Sequence, residues 1–127
     1  MYLDTSAFMK LITPEAETTA LQRYLVPRTL RVSSALLRAE ALRAAMRVSQ
    51  EHIVKTRRQL RKLAMIDISR ELLEQAGGLT PPDLRSLDAI HVAAALSLGD
   101  DLGDLVTYDA RTVAAAMEHG LKVVSPS

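Results

Sequence analysis

The 127 residues include no cysteine and no tryptophan, one phenylalanine and three tyrosines. Without cysteine there is neither a disulfide nor a thiolate metal site, which fits a reducing, cytoplasmic setting. With so few aromatics, the core has to be built from Leu, Val, Ile, Ala and Met. For the same reason, any contact with nucleic acid has to rest on phosphate charge rather than base stacking. No stretch approaches the ~20 consecutive apolar residues of a membrane span, so no membrane partner is expected. The opening Met1-Tyr2-Leu3-Asp4 lacks the basic n-region of a signal peptide. Long linkers, repeats and low-complexity segments are missing as well. With 48% hydrophobic residues the chain is read as one globular domain spanning 1–127.

The charge is nearly balanced in sum, at +1, and strongly unbalanced along the chain. Residues 23 to 62 carry eleven bases against two acids, and the remainder five bases against thirteen acids. Such a division predicts a basic surface for a polyanion beside an acidic site.

Short apolar runs alternate with helical patterns. A brief strand at Met1–Leu3 leads into a helix capped by Thr5 or Ser6 and running through Ile12. Thr13-Pro14-Glu15 opens a second helix that ends near Val26-Pro27. A strand at Leu30–Val32 is followed by a helix, capped by Ser33 or Ser34, running to about Gln50. The next helix, Ile53–Ala64, is basic at Arg57, Arg58, Arg61 and Lys62. A strand at Met65–Ile68 and a helix from Ser69 to Gly77-Gly78 follow. The stretch Leu84–Leu98 reads as a helix with Ser86 as cap and Gly99 beyond its end. Leu105–Tyr108 is a fourth strand, Ala110–His119 a helix closed by Gly120, and Leu121–Val124 a fifth strand. This alternation predicts an α/β fold with a central parallel sheet of about five short strands and helices on both faces.

Four acids stand in unusual places. Asp4 and Asp109 directly follow strands, Asp88 opens the Leu84–Leu98 helix, and Glu40 lies mid-helix on an apolar line between Leu37 and Ala44. Each of the first three, taken singly, fits a cap or turn; Glu40 has no capping role. Sites in parallel sheets form beyond the carboxyl ends of the strands, where acids distant in sequence can meet. Carboxylates gathered there repel each other unless a hard cation joins them. An oxygen-only set suits Mg²⁺ or Mn²⁺. Such ions support phosphodiester hydrolysis.

In this order and spacing, four segments carry a resemblance: Leu3-Asp4-Thr5-Ser6-Ala7-Phe8, Ser33 to Glu40, Leu84 to Ala93, and Val106-Thr107-Tyr108-Asp109-Ala110-Arg111. With the ending Gly120 to Pro126, the chain resembles the PIN-domain ribonucleases, specifically VapC-type toxins of toxin–antitoxin pairs, over almost its whole length. The resemblance implies a PIN-like fold and an Mg²⁺- or Mn²⁺-dependent endoribonuclease in which Asp4, Glu40, Asp88 and Asp109 are the metal-holding, catalytic residues. It implies RNA as substrate, such as tRNA or rRNA, a VapB-type antitoxin and a homodimer. Ser6 and Thr107 are expected as hydroxyls beside the metal or as ordinary caps. Arg57, Arg58, Arg61 and Lys62 are expected to bind RNA. Arg85 is expected to touch a phosphate or to pair with a pocket acid. His91, three residues after Asp88, is expected to pack or hydrogen-bond rather than to ligate, since an oxygen-only site has no need of it.

Competing acidic α/β sites fail at named positions. A response-regulator receiver needs an acid at the end of the third strand, where Ser69 follows Ile68. An Asp-x-Asp phosphatase needs an acid where Ser6 stands. The remaining alternative is a catalytically idle PIN domain that binds RNA or protein.

Overall fold

The computed structural model describes all 127 residues. Five short strands are β1 (Tyr2–Leu3), β2 (Val32–Ser34), β3 (Ala64–Ile66), β4 (Leu105–Val106) and β5 (Val123–Val124). Seven helices are α1 (Thr5–Met9), α2 (Thr18–Leu25), α3 (Leu36–Met46), α4 (Gln50–Leu60), α5 (Arg70–Gly77), α6 (Ser86–Ser97) and α7 (Ala110–Glu118). A single 3₁₀ turn covers Gly99–Asp101. No helix is long and apolar enough to cross a membrane.

All pairings are parallel, in the order β3-β2-β1-β4-β5. The chain adds strands to one side of β1 and then returns to add them to the other. The order therefore reverses between β1 and β4, and a crevice opens beyond their carboxyl ends.

The two central strands show why helices cover both faces. Successive side chains of a strand point to opposite sides. Tyr2 and Leu105 accordingly join a core with Leu72, Ala76, Ala89, Ala93 and Ala116 from α5, α6 and α7. Leu3 and Val106 join Ala7, Leu21 and Leu25 of α1 and α2 on the other face. Beside them Phe8, Ile12, Leu37, Ala41 and Leu60 close a third cluster between α1, α3 and α4. Five alanines of α6 and α7 lie in the first of these clusters (Ala89, Ala93, Ala94, Ala95, Ala116), letting helix backbones approach closely in a core with one phenylalanine.

Several boundaries differ from the sequence expectation. The N-cap of α1 is Asp4, whose carboxylate accepts from the Ala7 N–H, so neither Thr5 nor Ser6 caps it. Regular helix there stops at Met9 rather than Ile12. The second helix starts at Thr18, after the Thr13-Pro14 turn. β2 lies two residues later than expected, so Ser33 and Ser34 are buried strand residues and α3 begins without a side-chain cap. The physical reason is register: Val32, Ser33 and Ser34 pair with Ala64, Met65 and Ile66, which buries both serines beside β1. α3 ends at Met46, and Ser49 caps α4 three residues before its expected start. β3 stops at Ile66, β4 at Val106, and β5 starts only at Val123. Arg85, not Ser86, holds the N-cap position of α6. Ser69 caps α5 and Gly120, at φ 77°, follows α7, both as read from the sequence.

Candidate active site

Asp4 leaves β1 at the carboxyl edge, and its N–H donates to the Val106 carbonyl at 3.2 Å. Its side chain is 4% exposed. Oδ1 accepts from the Ser6 hydroxyl at 2.7 Å and the Ala7 N–H at 3.0 Å; Oδ2 accepts from the Thr107 hydroxyl. Burial pushes the Asp4 carboxyl above its ordinary value, against the opposing pull of those three donors. Ser6 and Thr107 thus both donate to the Asp4 carboxylate. Ser6 also accepts from the Tyr108 N–H, which with the Thr107–Asp4 bond ties the ends of β1 and β4 together, and Thr107 accepts locally from the Asp109 N–H.

Glu40 lies on α3 at the rim of its buried stripe of Leu37, Ala41 and Ala45. Oε1 accepts from the Thr5 hydroxyl and from Nε2 of His91, each at 2.7 Å. Burial raises the Glu40 carboxyl, but His91 and Thr5 together outweigh it and hold it below its ordinary value. His91 is 1% exposed, so the expectation that it hydrogen-bonds rather than stands open as a ligand describes its setting.

Asp109 caps α7, Oδ1 accepting from the Arg111 and Thr112 N–H groups at 2.9 and 3.0 Å. Its Oδ2 meets Arg85 Nη2 at 3.2 Å, and Arg85 Nε meets Asp88 Oδ2 at 3.1 Å. Arg85 therefore bridges Asp88 and Asp109, while its own side chain stays 63% exposed. Glu40, Arg85, Ser86, Leu87 and Asp88 line one cavity of about 350 Å³.

The four acids thus meet at one end of the sheet, linked through Thr5, Thr107, His91 and Arg85. Their donor set is carboxylate and hydroxyl oxygen, the chemistry a hard divalent cation takes, and two of the acids already hold a guanidinium cation between them. As the side chains stand, no three Asp, Glu or His groups are gathered closely enough to hold a metal ion. With Arg85 displaced, Asp88 and Asp109 have oxygens to offer.

The remaining predicted residues lie elsewhere. Arg57, Arg58, Arg61 and Lys62 are exposed and make no ion pair. α4 leads through Arg61 and Lys62 into the start of β3, so this basic run sits toward the amino edge of the sheet, opposite the acids. Besides Arg85, the bases toward the carboxyl end of the sheet are Arg38 and Arg111, both exposed in first helical turns that follow β2 and β4. They do not cluster in the sequence. Their position directly after a strand was the signal available.

The PIN domain family model matches residues 1–118. Ribonuclease VapC46 of Mycobacterium tuberculosis is 48% identical, the alignment covering 100% of this chain and 98% of the relative. Ribonuclease VapC35 of the same species is 42% identical over 99% of this chain and 96% of the relative. Among solved structures, VapC20 of M. tuberculosis, described as a sarcin-ricin loop cleaving toxin, superimposes with a TM-score of 0.77 at 18% identity over 98% of both chains. VapBC2 from Rickettsia felis, bound to a DNA fragment from its promoter, gives 0.75 at 16% identity, over 99% of this chain and 98% of that one.

Proposed function

The chain belongs to the PIN-domain family, alongside the VapC ribonucleases, and from that premise we infer that it is a metal-dependent endoribonuclease, the toxin of a toxin–antitoxin pair. The observation that supports this reading is the placement of Asp4, Glu40, Asp88 and Asp109 toward the carboxyl end of a parallel sheet, with the Arg85 guanidinium paired to both Asp88 and Asp109. The relatives' names support RNA as substrate, and the toxin–antitoxin complexes among the solved structures of similar fold support a VapB-type antitoxin as partner; we extend the reading to tRNA or rRNA as the RNA class. We extend the reading to a homodimer, which light scattering of the purified chain checks.

Asp4, Glu40, Asp88 and Asp109 would hold Mg²⁺ or Mn²⁺. Bound there, the ion supplies Lewis acidity, making water a stronger acid and offsetting charge that builds on the phosphate. The chain's own residues do the rest. Ser6, Ala7 and Thr107 fix the Asp4 carboxylate, so that it need not reorganise. Arg85, largely exposed, can exchange its two carboxylates for a substrate phosphate, which its planar fork suits equally well. Arg38 and Arg111, exposed in the first turns of α3 and α7, are further bases that backbone phosphates could meet.

Incubation of the purified chain with RNA in Mg²⁺ or Mn²⁺, and in EDTA, tests the reading. Internal cleavage with metal and none in EDTA is expected. Undiminished cleavage in EDTA overturns the metal dependence. Binding without cleavage in every metal favours the idle RNA-binding domain.

A further inference from the structure

A polar chain runs through the middle of the apolar core and ends on Glu40. The Ser34 N–H donates to the Tyr2 hydroxyl at 3.1 Å. The Tyr2 hydroxyl meets Nδ1 of His91 at 2.7 Å, with the two rings edge to face at 5.8 Å. Nε2 of His91 meets Oε1 of Glu40 at 2.7 Å and the Thr5 hydroxyl at 3.0 Å. The donors follow in sequence. Tyr2 accepts from Ser34, so its own proton is free for Nδ1; Nε2 then carries the ring proton and gives it to the carboxylate. The tautomer is assigned from this network. Every link has a partner, and the last is a carboxylate at the rim of the site.

We propose that Tyr2 and His91 are positioning residues, a buried relay that orients Glu40 for the metal by pinning Oε1 and leaving Oε2 outside the relay. The proposal rests on the metal-dependent reading above. Packing does not explain the relay. Tyr2 and His91 are 0% and 1% exposed among alanines and leucines, where an apolar side chain of similar size fills the space without polar atoms to satisfy. A fully connected buried network, by contrast, holds one geometry rigidly. This one ties together the elements that bring the acids. Tyr2 stands two residues before Asp4 on β1, Thr5 directly follows it, and His91 lies one turn beyond Asp88 on α6. The same helix face that presents Asp88 therefore sets the orientation of Glu40 across the crevice on α3. Groups that orient a ligand in this way commonly govern about 10- to 100-fold of metal affinity.

The test is a calorimetric titration of Mn²⁺ into the metal-free chain and three variants, with melting curves in EDTA alongside. His91→Leu removes the donor and is expected to bind Mn²⁺ about 10-fold more weakly or worse. His91→Gln places an amide nitrogen at about the reach of Nε2 and is expected to stay within about threefold of the wild type. Tyr2→Phe removes only the hydroxyl behind the ring and is expected to fall between them. A relay that merely supports the fold would lower melting temperatures while each folded variant kept wild-type Mn²⁺ affinity, and that result overturns the proposal. Should His91→Leu not fold, Tyr2→Phe decides alone. A wild-type chain that takes up no Mn²⁺ overturns the metal reading itself; a wild type that binds beside equally tight variants removes only the relay.

Discussion

Asp4 and Glu40 are both withdrawn from water, yet their surroundings push them in opposite directions. For Asp4 desolvation wins and raises the carboxyl; for Glu40 the bonds from His91 and Thr5 win and lower it. A second contrast separates Asp88 from a simple cap. It sits in the first turn of α6 behind Arg85, and its carboxylate meets a largely exposed guanidinium. Asp88→Asn removes repulsion from the other acids and also removes one of Arg85's partners. These effects oppose each other, and exposed pairs contribute little, so stability in EDTA should change by less than about 1 kcal/mol. The rise in melting temperature on adding Mn²⁺ should shrink, because a ligand stabilises the native state in proportion to its affinity, and cleavage should fall by orders of magnitude. Thermal melts with EDTA and with excess Mn²⁺ check this. An undiminished Mn²⁺-induced shift would take Asp88 out of the site.

At the scale of the element, the serines show how far local chemistry reaches. Ser69 and Ser86 look alike in the sequence, each a short hydroxyl before an apolar helix. Ser69 accepts from the Leu72 N–H at 3.1 Å and caps α5, whereas Ser86 lies inside α6 and caps nothing. Ser69→Ala should therefore cost about 1 kcal/mol, and Ser86→Ala less than about 0.5 kcal/mol, measured by chemical denaturation. Equal losses would mean that α6 starts a residue later in solution. Ser33 and Ser34 make the same point from the other side. Only strand register decides that they are buried in β2 rather than at a helix start. Ser33 spends its hydroxyl on the Leu3 carbonyl at 2.7 Å.

At the scale of the molecule, charge is divided between two edges of the sheet. The long basic run read from the sequence peaks at Arg57, Arg58, Arg61 and Lys62, toward the edge away from the acids, while Arg85 pairs with Asp88 and Asp109, and Arg38 and Arg111 stand exposed in helical turns that follow β2 and β4. RNA seated at the acids meets the second group first. Each phosphate that a base no longer neutralises lowers the salt slope of binding by about 0.7 to 0.9. Replacing Arg38 and Arg111 by Ala should thus flatten the slope by about 1.5 and weaken binding irrespective of sequence. Replacing all four bases of the α4 end should leave the slope for a short RNA near that of the wild type. The opposite ranking, read from binding curves at several salt concentrations, would show that the RNA tracks across the amino edge.

The sequence by itself determined the alternation of strands and helices, the parallel sheet, and the four acids that stand out from their local patterns. These follow from spacing and residue type within a few turns of chain. Glu40 was legible because a mid-helix acid on an apolar line contradicts its own periodicity. Tertiary structure alone decided the rest, because it depends on what lies across space. The reversal of strand order at β1 brings Asp4 and Asp109 to one crevice. The register of β2 turned two candidate caps into buried strand residues. Packing of α6 against the central strands put His91 between Tyr2 and Glu40, residues 89 and 51 positions away in the chain. No local pattern encodes such a contact, since a histidine on an apolar helix face reads the same whether its nitrogens meet solvent, backbone or a carboxylate from a distant helix.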